Sequence, residues 1–376
     1  MIKILHCADL HLDSPLSVLD ISKAEARRRD LRAALTSMTM FIKSNPVDFL
    51  LIAGDLFDGE FVSRDTVALL CREFASIPDC RVIIAPGNHD PYTFASYYRL
   101  ADLPENVYVF DSPEVKSFDF PDKNTTVYGF AFTSDALDVC PLDGFEVTSR
   151  ERINLLVAHG ELDASESKYC PIPSKTLASC GFDYAALGHK HTHSGVNRCG
   201  DGYVSYSGCL EGRGFDECGI KGAVLAVADK KDGKLEFAAR FERFCKRYYE
   251  IAECDVSGAE SNADVLTRLA QFIKDAHYGE DVALRVYLRG SVSSDFKLST
   301  AFLEAQFSQL YRIELVDATV PLADVGRLSC DPTLRGAYYR SLAPMLKSED
   351  ASEREIATMA LRYGLAALAG NDVADE

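Results

Sequence analysis

No apolar run in this chain of 376 residues reaches the roughly 18 residues a membrane span needs. The opening Met1-Ile2-Lys3-Ile4-Leu5-His6 lacks the basic-then-apolar layout of a signal peptide and reads as a first strand. A cytoplasmic protein with no membrane partner is therefore expected. There is no internal repeat and no low-complexity tract. None of the twelve cysteines forms a Cys-x-x-Cys pair, and Cys199, Cys209 and Cys218 are too widely spaced for a zinc ribbon. Length and context also argue against a disulfide framework, so buried reduced thiols are expected. Positive charge is scarce: 40 Lys and Arg stand against 57 Asp and Glu, a net charge of −17. That opposes long-range attraction to nucleic acid. Screening confines exposed charges to roughly 10 Å at 0.1 M salt, so the local field decides.

The length exceeds what one hydrophobic core usually holds, so two or three domains are expected. Up to about residue 100, apolar strands alternate with amphipathic helices. Strands are expected at 2–6, 47–53 and 81–85, and helices at 22–44 and 62–76. Arg27, Arg28, Arg29 and Arg32 are placed on the wet face of the first helix. This rhythm implies a buried, mostly parallel sheet. Further strands are expected at 107–110, 115–120, 125–132, 154–158, 184–187, 202–208 and 219–229, with a hairpin turn at 229–234. After about residue 246 the pattern restarts. Strands at 247–253, 282–290 and 312–317 alternate with helices at 264–277 and 296–310. Two amphipathic helices follow at 331–346 and 352–369, the second opening on a capping box, Ser352-Glu353-Arg354-Glu355.

What is abundant is histidine in one half of the chain. Seven of the eight histidines precede residue 194, and six of them lie in or beside five motifs. These are Asp9-Leu10-His11, Gly54-Asp55-Leu56-Phe57-Asp58, Gly87-Asn88-His89-Asp90, His159-Gly160 and Gly188-His189-Lys190-His191. Each falls just past an expected strand end, where open α/β sheets build their sites. Asp9 and His11, two apart in extended chain, point to one side and can grip one cation. Gly54 lets the backbone turn tightly, and Asp55 behind it can bridge two cations with its two oxygens. Asn88 offers a neutral oxygen. His89 leaves in another direction and suits proton transfer. Two divalent ions with Asp9 and Asp55 make the site about +2, which favours a phosphate whatever the global charge. Taken singly the motifs are weak: Gly-Asp is common turn chemistry, and a lone His159 is a common structural histidine. In this order they indicate two-metal phosphoester hydrolysis. Nitrogen and oxygen ligands suit manganese without excluding iron, zinc or magnesium.

The five motifs resemble those of the calcineurin-like metallophosphoesterase superfamily over residues 1 to about 195. Within it, residues 5–15, Tyr206-Ser207-Gly208 and residues 212–217 most resemble the SbcD/YhaO-type DNA repair exonucleases. The resemblance implies a four-layer αββα metallophosphoesterase core over 1–245, a small α+β capping domain over 246–325 and a C-terminal helical region over 326–376. It implies a first ion held by Asp9, His11, Asp55 and His191. A second would be held by Asp55, Asn88, His159 and His189. His89, oriented by Asp58, would serve the leaving oxygen, and manganese would be the ion. The Ser/Thr protein phosphatases carry Arg where Gly59 stands and Glu where Asp90 stands, which argues against that branch. The implied activity is phosphodiester hydrolysis in DNA repair by a hydroxide that two ions activate. DNA, an SMC-family, SbcC-like ATPase and a second copy of the chain are the implied partners. Lys190, Arg198 and Arg213, near the motifs, could contact DNA phosphates. A small-nucleotide phosphodiesterase or phosphatase, or a non-catalytic scaffold for an ATPase, are the competing readings. His6 is expected to pack or hydrogen-bond, His193 to lie behind the ligands or exposed, His277 to end a helix and Cys7 to belong to the core.

Overall fold

The structure, a computed structural model, describes residues 1–17, 21–59, 62–293, 296–322 and 325–368. The chain divides into two compact units, Met1–Tyr249 and Glu250–Glu376.

The first unit holds two six-stranded sheets. The strands of one lie in the spatial order Lys234–Arg243, Gly222–Lys231, Ile2–Cys7, Phe49–Ile52, Arg81–Ile84, Val107–Val109. From Ile2–Cys7 onward they run parallel, and the Gly222–Lys231 and Lys234–Arg243 hairpin closes the other edge antiparallel. The second sheet has the order Asn197–Cys199, Gly202–Tyr206, Tyr184–Gly188, Ile153–His159, Thr125–Gly129, Lys116–Phe120, parallel at its centre.

Side chains of a strand alternate between its two faces. Ile2 and Ile4 therefore join Phe49, Leu51, Ile83, Val127, Leu155, Val157 and Tyr184 in a core between the sheets. Leu5 and Cys7 face the other way, with Leu50, Ile52 and Val82. They pack on Leu31, Leu35 and Met38 of helix Ile21–Ser44 and on Leu70 and Phe74 of helix Arg64–Ala75. Across the molecule Leu156, Ala158 and Leu187 pack on Leu177 and Cys180 of helix Ser174–Cys180. The layers are helix, sheet, sheet, helix: an α/β fold of four layers.

Arg27 departs from the sequence-based expectation. It is 2% exposed, not on the wet face. Its guanidinium donates to Asp30 Oδ2 and to Glu211 Oε1, both at 2.8 Å. Glu211 in turn accepts from the Lys246 amide at 2.6 Å. Arg28 and Arg32 are half-buried and reach back to the loop after the first strand, at the Ser14 carbonyl and Asp13. A buried ion pair adds little net stability when intact, but losing one partner strands the other charge. Arg27→Met is expected to cost about 3–5 kcal/mol of unfolding free energy, read by urea titration, and Arg27→Met with Glu211→Leu should recover part of it.

In the second unit the strands are ordered Tyr248–Asp255, Val282–Ser293, Arg312–Leu322, with Val282–Ser293 parallel to Arg312–Leu322. Helix Asn262–Asp275 buries Val265, Leu269 and Ile273 and is capped by Ser261. The helix expected at 296–310 shortens to Thr300–Glu304. Asn262 explains its late start by donating to the Lys297 carbonyl and accepting from the Ser299 amide. Beyond it the chain closes tight turns, Phe307 N to Glu304 O and Leu310 N to Phe307 O, that bury Phe307 and Leu310. Helices Val325–Cys330, Leu334–Leu346 and Ala351–Leu368 complete the unit, with Leu328, Tyr339, Leu361 and Leu365 as their core. The last begins one residue before the expected Ser352. Asp350 Oδ1 accepts from the Ser352 amide at 2.9 Å. Residues 369–376, the end of the expected helical region, lie outside the described residues. Among the described residues no helix is long and apolar enough to cross a membrane.

Candidate metal centre

The parallel strands of both sheets deliver the motifs to one edge. Asp9 follows Ile2–Cys7, Asp55 follows Phe49–Ile52, and Asn88 with His89 follows Arg81–Ile84. His159 ends its strand, and His189 follows Tyr184–Gly188. Four of these residues hold left-handed backbone without being glycine: Asp9 (φ 53°), His11 (φ 44°), Asp55 (φ 50°) and His189 (φ 101°). Such strain persists where surrounding structure enforces it, and it concentrates at functional sites. Gly54 (φ 86°) has no substitute, because a Cβ there would strike the His159 ring.

Three side-chain groups fall within metal-ligand reach: Asp9, His11 and His191; Asp9, Asp55 and His159; and His11, Asp58 and His89. Asp55 Oδ2 stands 3.7 Å from His11 Nε2 and 3.5 Å from His159 Nε2. It therefore touches both clusters, at shorter range than Asp9, whose Oδ1 stands 4.0 Å from His159 Nδ1 and 4.0 Å from His191 Nε2. Its other oxygen accepts the His89 amide at 3.0 Å. Asn88 Oδ1 lies 2.9 Å from His159 Nε2. Asp9 accepts the His189 amide, at 3.0 Å to Oδ1. The His189 ring lies 5.2 Å from that of His159, packs against Tyr169 and turns Nε2 toward Glu161 at 3.5 Å.

Hydrogen bonds decide which ring nitrogens are free. His11 Nδ1 meets Asp58 at 3.3 Å, His191 Nδ1 meets Glu217 at 2.7 Å, and His159 Nδ1 meets the Ala53 carbonyl at 3.0 Å. All three partners are acceptors, so each Nδ1 is engaged as a donor, and in the neutral ring each Nε2 keeps a lone pair for the centre. Yet His11 Nε2 and His191 Nε2 approach to 3.1 Å, and His159 Nε2 faces the Asn88 oxygen and Asp55. Lone pairs aimed at one another repel unless a cation lies among them. This donor set, buried carboxylates beside imidazoles whose Nδ1 is already engaged, fits divalent ions.

His89 stands apart. Its side chain is 47% exposed, and Nδ1 lies 2.9 Å from Asp58 Oδ1. That bond raises the His89 pKa above the ordinary histidine value, against partial burial. Burial alone would raise the Asp58 carboxyl, but hydrogen bonds from His11 and His89 outweigh it and hold it well below the usual range.

Two acidic residues carry weight that sequence reasoning did not assign. Asp90 is buried and accepts four amides: Asp55 and Gly87 at Oδ1, 3.2 and 2.8 Å, and Leu56 and Phe57 at Oδ2, 2.7 and 3.1 Å. The Tyr98 hydroxyl also donates to it. It fastens the Asp55 loop to the Asn88 loop. Burial and the neighbouring Asp55 charge raise its pKa to about 6. Glu217 orients His191 and also receives the Arg213 amide at 2.7 Å and its guanidinium at 2.8 Å. Arg213 also reaches Asp58 Oδ2 at 3.3 Å. It thus joins the two carboxylates that aim His191, His11 and His89.

The remaining named residues separate from this cluster. Lys190 lies over the Tyr206 ring, and the exposed Arg198 covers the Tyr203 ring. His193 stacks on Phe241, and His6 bonds to the Tyr184 hydroxyl and the Leu187 carbonyl. Burial pushes His6 down to about 3. Cys7 is in the core.

The sequence profile of the calcineurin-like phosphoesterase family matches residues 2–193. The uncharacterized metallophosphoesterase YhaO of Bacillus subtilis is 30% identical over 302 residues, 76% of this chain and 71% of that one. The SbcD component of the nuclease SbcCD of Staphylococcus epidermidis is 24% identical over 249 residues, 57% of this chain and 63% of that one. The DNA double-strand break repair protein Mre11 of Aeropyrum pernix is 24% identical over 329 residues, 81% of this chain and 76% of that one. A profile over half the chain and a relative at this identity and coverage agree with the edge-of-sheet donor set: the chain belongs to the calcineurin-like phosphoesterase family, a family of metal-dependent hydrolases.

Proposed function

We propose that this protein is a metal-dependent DNA nuclease that hydrolyses phosphodiesters, acting in DNA repair. The observation that carries the hydrolytic part is the facing of unshared imidazole and amide lone pairs around Asp55, with a half-exposed His89 beside them. The names of two relatives, a nuclease component and a double-strand break repair protein, support DNA as the substrate. Asp9, His11, Asp55 and His191 would hold one ion, and Asp55, Asn88, His159 and His189 the other, with manganese the ion proposed. Ions bound there would polarise a phosphoryl oxygen and make water a nucleophile near neutral pH.

The chain's own groups do the rest. Asp58 holds the His89 ring by Nδ1 and favours its protonated form, so His89 can give a proton to the leaving oxygen. Asp90 and Glu217 keep the ligand loops and His191 in place. Lys190 and Arg198 would meet the nucleic acid backbone. Residues 246–325 are proposed as a capping domain over DNA, and 326–376 as the contact for an SMC-like ATPase, the whole acting as a cytoplasmic homodimer.

A manganese-dependent assay on defined single- and double-stranded oligonucleotides, beside nucleotide phosphoesters, tests this. Cleavage of the oligonucleotides is expected. Turnover confined to nucleotides would make the protein a small-nucleotide phosphodiesterase. A metal-loaded protein inert on every phosphoester would make it a scaffold.

Arg213 and Lys190 separate two kinds of contribution. Arg213 spends its donors on Glu217 and Asp58, so Arg213→Ala should lower kcat about 10-fold or more through misaimed imidazoles. Lys190→Ala should instead raise KM and weaken the salt dependence of binding. Steady-state kinetics at two salt concentrations check both, and a pure KM effect for Arg213→Ala would reassign it to the DNA backbone.

A further inference from the structure

A cavity of about 250 Å³ opens beside the metal centre, walled by Phe57, Pro91, Tyr97 and Tyr98, with Ser96 in its lining and His89 on its rim. Its position follows from the loops that build the centre. Phe57 ends the Asp55 loop, and Pro91 directly follows Asp90. The Tyr97–Leu100 turn is anchored by the Tyr98 hydroxyl on Asp90. The same carboxylate that fastens the metal-ligand loops therefore sets this wall.

Both tyrosine hydroxyls are already spent. Tyr97 donates to the Val62 carbonyl at 3.0 Å and Tyr98 donates to Asp90. What the walls present is aromatic and aliphatic surface, with Phe57 tilted against both tyrosines at 5.8 Å between ring centroids. Thr93 also lines it, and Ser96 Oγ is a buried polar atom with no hydrogen-bond partner. A ligand suited to this place is flat and largely apolar and carries a group that can bond one hydroxyl. It is also joined to a phosphate, because the His89 rim faces the cluster as well. The His89 and His11 rings are 5.0 Å apart, and the two share Asp58.

We propose that this cavity receives a nucleobase, that of the nucleoside on the leaving-oxygen side of the scissile phosphate. The side follows from His89, the proton donor to that oxygen and a member of the cavity rim. The inference rests on the nuclease reading given above and adds to it a subsite for one base. Tyr97 is the wall residue to vary, since it is less buried than Phe57 or Tyr98 and lies outside the ligand loops. Stacking of a base on an aromatic side chain tolerates any sequence, so the subsite would read the presence of a base and not its identity.

The experiment uses the full chain, loaded with Mn²⁺, and short single strands that each carry one abasic residue at the first, second or third position from either end. On the native protein, kcat/KM is expected to fall about 10-fold at one position next to the cleaved bond and little elsewhere. In Tyr97→Leu, intact and abasic strands should be cut at similar rates, with metal content as in the native protein. Uniform cleavage of all the abasic strands by the native protein overturns the subsite without any variant. An undiminished abasic effect in Tyr97→Leu overturns it as well. Hydrolysis of bis(4-nitrophenyl) phosphate with no cleavage of any strand overturns the nuclease reading, and the base subsite falls with it.

Discussion

Asp55→Ala is expected to empty both metal positions together and to lower turnover by ~10³-fold or more, the several kcal/mol that metal ions contribute to such transition states. The reason is geometric. Asp55 Oδ2 is the carboxylate oxygen shared between the cluster of His11 and that of His159. Asp9 also neighbours both sides, but at 4.0 Å from His159 and from His191, so Asp55 makes the nearer contacts. Loss of a bridging carboxylate leaves facing imidazole lone pairs with less negative charge to hold a cation between them. Elemental analysis after equilibration with Mn²⁺ and desalting reads the stoichiometry. Two ions per chain in the variant would remove Asp55 from the bridging position. Asp55→Asn offers a control for folding, since it can still accept the His89 amide. Without metal it gives up the attraction of His159, His11 and His89, which against burial holds the Asp55 carboxyl below the usual range, while it relieves the charge pressure on Asp9 and Asp90. Burial, opposed by His191 and abetted by Asp55, raises Asp9 to about 6.

His89→Ala should behave in the opposite way, keeping both ions and losing about 10²–10⁴-fold in kcat, the usual share of a positioned acid or base. Its ring reaches Asp58, whereas the contact to Asp55 is made by its backbone amide. Truncation at Cβ therefore removes the proton donor without loosening the bridge. The partner Asp58 cannot be tested so cleanly, since it also holds His11 Nδ1. Elemental analysis beside the oligonucleotide assay separates the outcomes, and a His89→Ala protein short of one ion would make His89 a ligand.

The motifs are legible in the sequence because two requirements coincide. The short, largely apolar runs at Ile2–Cys7, Phe49–Ile52 and Tyr184–Gly188, buried almost throughout, reveal strands, and cation chemistry restricts what can follow them to carboxylate, imidazole and amide. The residues that aim those ligands are harder to see, because their partners are remote. Arg27 looks like one of four helix-surface arginines until Glu211, 184 residues away, is placed beside it. Asp90 sits inside a recognised motif, yet the amides it collects from the Asp55 loop come from 33–35 residues earlier. Glu217 lies within a segment that carries a family resemblance alone, and only folding brings it to His191. The overlong helix at 296–310 fails for a similar reason: one side chain, Asn262, captures the backbone where the pattern alone would continue.

The most direct test is a crystal of the full chain grown with Mn²⁺ and measured at the manganese absorption edge. Two anomalous peaks are expected on either side of Asp55, one within ligand distance of Asp9, His11 and His191 and one near Asn88, His159 and His189. A single peak, or density free of manganese among those side chains, would contradict a two-ion centre.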